Sequence, residues 1–408
     1  MRTDKPPNER IAVLDVLRAF ALFGIIVTHA AGGFLAGPPP APGYNVYGTA
    51  DRIVDNLENL LTFGKFFTIF AFLFGLSFAI QLDNAARKGT SFAGRFAWRL
   101  ILLFAIGFAH HIFFSGDILT IYAVLGLLLI PFRKVPTRVL LVAGLLLVLN
   151  VPGLVLHLRQ VNAPPATSEQ QQAAVTAGQA FAQHARHQFD IKRAGDVDDV
   201  IRMNVTESFG DKLAFQVITG RLWVTFGLFL LGLCAGRLNI FRDSAENRRF
   251  FRRLGIATGI VAVLATALYL AHPVGFQTRS VPDAFASFAF SVQQFTLAAF
   301  YASVVALLFW RRPKGLLSYL APMGKMGLTT YLTQSVFGLL LFYGFGLGLL
   351  GKLGVAASVA LGMAFYVVQI ACASWWLRHF SMGPVEWLWR SLTYFKLQPL
   401  ARPALPAI

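Results

Sequence analysis

Cysteine and charge are both scarce in this sequence. Only Cys234 and Cys372 occur in 408 residues, and both lie inside apolar runs. The chain therefore has no disulfide framework and no CxxC pair for a redox or metal site. It also has no HExxH sequence, no Walker sequence and no GxGxxG sequence that follows a strand. These absences exclude a zinc protease, a P-loop enzyme and a dinucleotide-binding domain, and no metal site is predicted.

Long hydrophobic runs are abundant and decide the class of protein. The chain is 56% hydrophobic and 13% charged, with 39 Phe and a mean hydropathy of +0.60, which is typical of a polytopic membrane protein. A net charge of +17 would suggest nucleic acid binding in a soluble domain. Here Lys and Arg lie mainly in short loops between apolar runs, which is a topology signal, so nucleic acid is rejected as a partner.

The hydrophobic pattern predicts an all-α integral membrane protein with about ten transmembrane helices and both termini in the cytosol. The first apolar run is long, holds Asp15 and Arg18, and lacks an A-x-A site, so it is predicted to be a retained span and not a signal peptide. The ten predicted spans are approximately 11–34, 60–82, 98–114, 118–132, 139–157, 215–236, 254–271, 285–310, 326–343 and 355–377.

The distribution of basic residues supports this orientation independently. The segments assigned to the cytosol hold 24 of the 36 Lys and Arg, and the outer segments hold nine. Six of those nine lie in one long outer loop, which translocates regardless of its charge. The basic excess in the remaining short loops therefore predicts that residues 1–10 lie in the cytosol.

The long polar loop divides the chain into three parts. Residues 1–158 form a five-span half, residues 159–212 form an outer helical loop, and residues 213–408 form a second five-span half. Ser168 and Asp196 are predicted to begin two short outer helices, because SEQQ resembles a capping box and the second segment starts with acidic residues. The aromatic C-terminal segment is predicted to be an interfacial helix on the inner leaflet.

The first span carries an unusual polar stripe. At about 100° per residue, Arg18 and His29 fall within roughly 20° of each other, about 16 Å apart along the helix. Asp15 joins this face, and Gly24 leaves a thin place for another helix or a ligand. Ionised groups are costly in lipid, so the stripe is predicted to face protein or a water-filled cavity.

Four titratable side chains are predicted to meet near the outer surface: His29, His110, His111 and Asp117. An imidazole beside a carboxylate can serve as a general base whose tautomer is set by its partner. The alternative is structural, with Asp117 capping the fourth span and His29 capping a helix or binding lipid headgroups.

A second candidate site lies near the inner surface. Asp15 and Arg18 form either an interfacial ion pair or part of an anion site. Arg95 and Arg99, one helical turn apart, add either a basic mouth for phosphate groups or only a topology signal. Four other polar side chains in or beside apolar runs are predicted to satisfy helix contacts: Lys65, Arg221, Gln334 and Gln369.

Several segments together resemble a known family. DVLRAFALFGII, FLFGLSFA, SGDILTIYAVLGLLL, MGKMGLTTYLTQS and GPVEWLWRSLTYFKLQP are similar to the YeiB-like family of bacterial membrane proteins, which carries a domain of unknown function. The first span is also similar to transmembrane acyltransferases of the heparan-α-glucosaminide N-acetyltransferase type. Those enzymes have a basic residue, ten intervening residues and a histidine, and Arg18 and His29 match that spacing.

The resemblance implies a membrane acyltransferase that takes an acyl group from cytosolic acyl-CoA, with acetyl-CoA as first choice, to an acceptor hydroxyl or amine at the outer side. His29 would be the base or acyl carrier, and Asp117 or one of the paired histidines would orient it. Arg18 would hold the donor or stabilise the charge that develops on the thioester. Membrane lipids, a small-molecule, glycan or lipid acceptor and a homodimer are the expected partners. The rival interpretation is a transporter or lipid-handling protein in which the same groups line a substrate path.

Overall fold

A computed structural model describes residues 11–89, 91–164, 167–271 and 280–401. Within these ranges the chain is helical, and its only β pairing is an isolated bridge between Phe380 and Ala401. The all-α prediction is therefore confirmed, while the first ten residues lie outside the described ranges. The helices are α1 (Ala12–Ala31), α2 (Thr49–Leu61), α3 (Lys65–Arg87), α4 (Ala93–Phe113), α5 (Leu119–Phe132), α6 (Thr137–Val148), α7 (Val151–Val161), α8 (Ser168–Ala194), α9 (Val197–Met203), α10 (Phe209–Ile218), α11 (Arg221–Arg237), α12 (Ala245–Ala271), α13 (Val281–Arg311), α14 (Ala321–Lys325), α15 (Gly327–Phe342), α16 (Val355–His379) and α17 (Pro384–Tyr394).

Six helical segments in the described residues are long and apolar enough to cross a membrane: α1, α2 with α3, α4, α12, α13 and α16. The number rises to eight if two bent pairs each count as one span. The runs predicted as spans four and nine form the shorter apolar helices α5 and α15. With 14 and 16 residues, these helices are only about 21 and 24 Å long, against a hydrocarbon core of about 30 Å. The chain is a multi-pass membrane protein, and ten full crossings remain a prediction.

Helix α1 lies at the centre of the molecule. It packs against α3, α14, α15 and α16, and 13 of its 20 residues are buried. Asp15 is 4% exposed, although it is a carboxylate in the first turn of an apolar helix. The polar stripe of the first span therefore faces protein, as the cost of exposing charge to lipid requires.

Glycines allow close packing around α1 and α3. A Cβ atom at Gly24 would lie 1.9 Å from Cγ of Phe66, so the thin place predicted on α1 is filled by that ring. A Cβ at Gly75 would lie 2.1 Å from the carbonyl oxygen of Phe229 on α11. Membrane helices associate through such small-residue contacts because lipid provides little hydrophobic driving force between helices.

Two predicted spans are broken. The fifth bends by 46° between α6 and α7, at Asn150, which has a left-handed backbone with φ +54°. The sixth bends by 69° between α10 and α11, where Gly220 has φ +74°. A left-handed residue ends one helix and redirects the chain, because it cannot continue right-handed helical geometry.

The outer loop contains more helix than the two short segments predicted. Helix α8 runs for 27 residues, and its capping box is built by Thr167 and Gln170 and not by Ser168, one residue further on. Asp196 does begin the next helix, where its side chain accepts a hydrogen bond from Asp199 N. From there α9 leads through a π-helical turn, Asn204–Ser208, directly into α10.

Candidate functional site

His110 and Asp117 form a buried dyad where α4 ends and α5 begins. His110 Nδ1 lies 3.0 Å from Asp117 Oδ1, and the side chains are 7% and 0% exposed. Asp117 also accepts hydrogen bonds from Leu119 N at 3.1 Å, Thr120 N at 3.0 Å and Thr120 Oγ1 at 2.7 Å. One carboxylate thus caps the start of α5 and also contacts an imidazole, while a catalytic role for Asp117 stays a prediction.

The dyad leaves one ring nitrogen of His110 without a partner. A carboxylate only accepts hydrogen bonds, so Nδ1 carries the proton and Nε2 presents its lone pair. Nε2 is buried and has no hydrogen-bond partner among the described residues. The Tyr331 ring packs edge-to-face with the imidazole, with 5.2 Å between the ring centres. A buried, oriented and unpaired imidazole nitrogen is the arrangement needed for a general base.

The neighbouring His111 has both ring nitrogens engaged. Nε2 donates a hydrogen bond to the carbonyl oxygen of Asn204 at 3.0 Å. Nδ1 lies 3.1 Å from Nζ of Lys212, an ammonium that can only donate. Lys212 Nζ also donates to Thr120 Oγ1 at 2.9 Å and lies 3.7 Å from Asp117 Oδ2. The two adjacent histidines therefore differ in hydrogen bonding: His110 has one unpaired ring nitrogen and His111 has none. The sequence alone did not distinguish them.

His29 lies beside the dyad, at the last turn of α1. Its ring stacks on the Phe34 ring, with 5.6 Å between the ring centres, and packs edge-to-face with the Phe114 ring at a centre-to-centre distance of 5.3 Å. The ring of His110 packs on the same Phe114 ring, with 5.5 Å between the ring centres. His29 is also close enough to His110 for an electrostatic interaction between the two imidazoles. His29 is half-buried and makes no hydrogen bond through its ring to any described residue. The structure thus brings together His29, His110 and Asp117, while His111 contacts Asn204 and Lys212.

Asp15 and Arg18 pair at the opposite end of α1. Arg18 Nη1 lies 2.5 Å from Asp15 Oδ1, and Nη2 donates to Ser77 Oγ at 3.0 Å. Asp15 also lines a pocket of about 360 Å³ that contains Lys325 and Arg378. The buried ion pair therefore borders a cavity with two further cations.

Arg95 and Arg99 contact the C-terminal helix. The Arg95 guanidinium lies 5.6 Å from the Tyr394 ring, and that of Arg99 lies 4.4 Å from the Trp389 ring. Trp389 Nε1 also donates to the carbonyl oxygen of Arg99 at 2.9 Å. Both arginines thus hold α17 against α4 through cation–π contacts.

Lys212 and Asn204 were missed by sequence reasoning. Lys212 is 9% exposed and Asn204 is fully buried. Lys212 stands in GDKLAF, directly before the apolar run of span six. A lysine at the boundary of a span is the sequence feature that could have identified it as a candidate. Their contacts with His111 join residues about a hundred positions apart, which a sequence pattern does not reveal. Among the described residues, no group of three His, Cys, Asp or Glu could hold a metal ion.

Comparison with known proteins identifies the family. The chain is 30% identical to the uncharacterized protein YxaH of Bacillus subtilis (strain 168), and the alignment covers 97% of each chain. It is 29% identical to the uncharacterized protein YeiB of Escherichia coli (strain K12), over 94% of this chain and 96% of the other. The chain belongs to the YeiB-like family.

Two further comparisons agree with this membership. Residues 235–396 match the family described as protein of unknown function (DUF418). An uncharacterized 39.9 kDa protein of Bacillus acidopullulyticus is 27% identical over 96% of both chains. No solved structure matches the chain. The YeiB-like resemblance predicted from the sequence motifs is therefore confirmed, and its relation to acyltransferases stays a prediction.

Proposed function

We propose that this protein is a membrane acyltransferase that moves an acyl group from acyl-CoA to a hydroxyl or amine acceptor. The observation that supports this activity best is the His110–Asp117 dyad, whose 3.0 Å contact leaves Nε2 buried and unpaired. A base in this state can take a proton from an acceptor, while the carboxylate stabilises the imidazolium that forms.

In the proposed reaction, the acceptor oxygen or nitrogen attacks the thioester carbonyl carbon as His110 Nε2 takes its proton. The carbon–sulfur bond then breaks, and the imidazolium returns the proton to the departing thiolate. The products are the acylated acceptor and free CoA, so no net proton or redox partner is required. His29, half-buried on the neighbouring helix, is placed to orient the acceptor or to carry the acyl group transiently.

The donor is proposed to bind from the other end of α1. Phosphate groups need cations, and Arg18, Lys325 and Arg378 lie at or beside the pocket that Asp15 borders. Fourteen residues of one helix separate Asp15 from His29, a rise of about 21 Å, which the pantetheine arm and acyl chain would bridge. Acetyl-CoA is the first donor to test, because it is the simplest acyl-CoA.

The proposed topology gives these two ends different compartments. With ten crossings and both termini in the cytosol, the Asp15 pocket opens inward and the dyad lies toward the outer side of the bacterial inner membrane. The acceptor would then be a small molecule, glycan or lipid that reaches the outer end of α1. The excess of Lys and Arg in the loops assigned to the cytosol supports this orientation.

A transporter is the second candidate, and the broken helices favour it. Membrane transporters commonly bind substrate where discontinuous helices meet, and two helix pairs here bend by 46° and 69°. In that case the dyad would bind or release protons along a substrate path and would catalyse no transfer.

Binding and hydrolysis of acyl-CoA distinguish the two candidates. Purified protein in a neutral detergent would be heated with acetyl-CoA, longer acyl-CoAs, free CoA and, as an anionic control, ATP. By mass action, a specific donor raises the free energy of unfolding by about 2.7 kcal/mol at a hundredfold excess over Kd, and the unfolding midpoint rises with it. Thiol release from the stabilising acyl-CoA would then be followed with and without simple alcohols and amines. No shift with any CoA species at saturation would reject the enzyme in favour of the transporter.

A further inference from the structure

Arg221 is the first residue of α11, at the sharper of the two helix bends described above. Gly220 precedes it with a left-handed backbone, and the helices on either side meet at 69°. The residue was predicted only to satisfy helix contacts. Its surroundings are unusual for a charged group in a membrane protein.

Aromatic rings surround the Arg221 guanidinium. Its central carbon lies 4.4 Å from the centre of the Phe67 ring and 5.6 Å from those of Phe63 and Phe215. Among the residues that the structure describes, no hydrogen bond or ion pair joins this guanidinium to a side chain or a carbonyl. Arginine has five N–H donors in a fixed plane, so this aromatic box leaves all of them available.

Other cations of the molecule show the contrast. Arg237, at the far end of the same helix, donates to the carbonyl oxygens of Arg133 at 2.6 Å and Val135 at 2.7 Å. Lys65 is fully buried and donates to the carbonyl oxygen of Asn59 at 3.0 Å. Phenyl faces attract a cation but cannot accept five hydrogen bonds. Arg221 is therefore half-buried without the polar partners that such a charge requires.

The aromatic box lies near His29. Arg221 is close enough to His29 and to Tyr122 for their charges to interact. The Tyr122 hydroxyl donates to the carbonyl oxygen of Phe67, one of the three rings of the box, at 3.5 Å. A ligand group held by Arg221 would thus lie on the same side of the molecule as His29.

We propose that Arg221 binds an oxyanion of the acceptor, a phosphate or a carboxylate, and so selects an anionic amphiphile. This proposal rests on the proposed acyl transfer, because it assigns the substrate class for that site. A planar guanidinium recognises phosphate and carboxylate through paired hydrogen bonds. Its phenyl walls suit the apolar part of a lipid-borne or otherwise amphiphilic acceptor.

The binding test uses three short amphiphiles below their micellar concentrations. Dihexanoyl phosphatidate supplies a phosphate, decanoate supplies a carboxylate, and dihexanoyl phosphatidylcholine is the control without net charge. Full-length protein in a neutral detergent is expected to be stabilised by phosphatidate, decanoate or both, and the pattern identifies the preferred oxyanion. Absence of any shift with both anions, or an equal shift with phosphatidylcholine, would overturn the proposal.

Variants assign the effect to Arg221. Arg221→Gln should raise the half-saturating concentration of the anion by at least about tenfold, since it removes a charge-assisted contact. Arg202→Gln removes the same charge from an exposed position of α9 and should bind like the parent. Arg221→Lys keeps the charge without the planar fork and should bind with intermediate strength, which provides a readout even if the Gln variant does not fold. An unchanged response in a folded Arg221→Gln variant would refute the assignment.

Measuring acyl-CoA hydrolysis distinguishes failure of the oxyanion site at Arg221 from failure of the proposed acyl transfer. The control Arg202→Gln, an exposed position outside the proposed sites, should hydrolyse acyl-CoA at the parental rate. If the parent neither binds nor hydrolyses acyl-CoA but still binds the anion through Arg221, the acyltransferase proposal fails and the oxyanion site stands. If Arg221→Gln loses hydrolysis while anion binding persists, Arg221 acts on the thioester and the acceptor role is wrong.

Discussion

Nζ of Lys212 lies 3.1 Å from Nδ1 of His111, and this contact determines which of two adjacent histidines can act as a base. Because His111 also donates through Nε2 to Asn204, its ring has no free lone pair. His110 keeps one, since Asp117 engages only Nδ1. A lysine from the outer loop therefore distinguishes residues that are neighbours in the sequence.

The first prediction follows from this asymmetry. His110→Ala should lower acyl transfer by about 10² to 10⁴-fold, the usual range for a positioned acid or base. His111→Ala should chiefly lower the unfolding midpoint, because it leaves Lys212 and the Asn204 carbonyl without their partner. Transfer rates per folded protein, with folding judged by size-exclusion profile, measure both. Loss of activity in His111→Ala with retention in His110→Ala would reverse the assignment.

The second prediction concerns His29. If it orients the acceptor or carries the acyl group, His29→Ala should lower transfer by about 10² to 10⁴-fold while acyl-CoA binding is unchanged. The exposed His187 provides a control, and His187→Ala should behave like the parent. His29→Asn separates chemistry from packing between Phe34 and Phe114. Parental activity in both His29 variants would leave this histidine with a packing role only.

The third prediction concerns the inner end of α1. Arg18→Leu should abolish the thermal shift caused by acyl-CoA, because it removes a cation beside the Asp15 pocket. The single change removes the arginine that pairs with the buried Asp15 carboxylate and is expected to destabilise the fold. The double variant Asp15→Asn, Arg18→Leu removes both charges, so its acyl-CoA affinity is measured as well. A dose–response curve for acetyl-CoA measures the affinity of each. Parental affinity in the double variant would exclude Arg18 from donor binding.

The ten apolar runs could be located from the sequence because a helix satisfies its own backbone in lipid, so hydropathy alone specifies the element. Helix breaks were not predictable in the same way. Asn150 and Gly220 interrupt apolar runs through left-handed backbone conformations, which composition does not specify. Helix α2 was also missed, because its acidic face turns inward, where Glu58 accepts a hydrogen bond from Thr28 at 2.7 Å.

Sequence spacing predicted the direct hydrogen-bonded pairs of the site only where they are local. Asp15 with Arg18 and His110 with Asp117 are three and seven residues apart, and helix or turn geometry brings such pairs together. Lys212 reaches His111 across 101 residues, and this depends on how the outer loop packs. Arg221 could be noticed as a charge in an apolar run, but the lack of a polar partner is a tertiary property.

The fourth prediction is a pH dependence of stability at Lys192. This lysine of α8 is fully buried, and its Nζ donates to the carbonyl oxygen of Leu35 at 2.7 Å and to Ser115 Oγ at 3.1 Å. Burial lowers its pKa from 10.5 to about 7, against a smaller opposing attraction to Asp211. Between these values the unfolded chain binds more protons than the native protein, so the free energy of unfolding rises with pH from about 7 upward.

Lys192→Met tests this dependence. The variant keeps an unbranched apolar side chain without the amine, so its unfolding midpoint should increase less between pH 7 and pH 9 than that of the parent. Differential scanning fluorimetry in one detergent at several pH values measures the two slopes. Identical slopes would show that Lys192 remains charged in the folded protein.

The last prediction concerns the orientation of the chain. Residues 159–212 are expected to face outward and both termini to face the cytosol, because the assigned cytosolic segments hold 24 of the 36 basic residues. Of the two native cysteines, Cys372 is exposed and Cys234 is buried, so Cys372→Ala provides a suitable background. A membrane-impermeant maleimide should label Gln171→Cys in intact spheroplasts. It should label Glu246→Cys, in the predicted cytosolic loop before span seven, only after permeabilisation. The reverse pattern would invert the topology and place the dyad on the cytosolic side, whereas labelling of both positions before permeabilisation would require an even number of crossings between them.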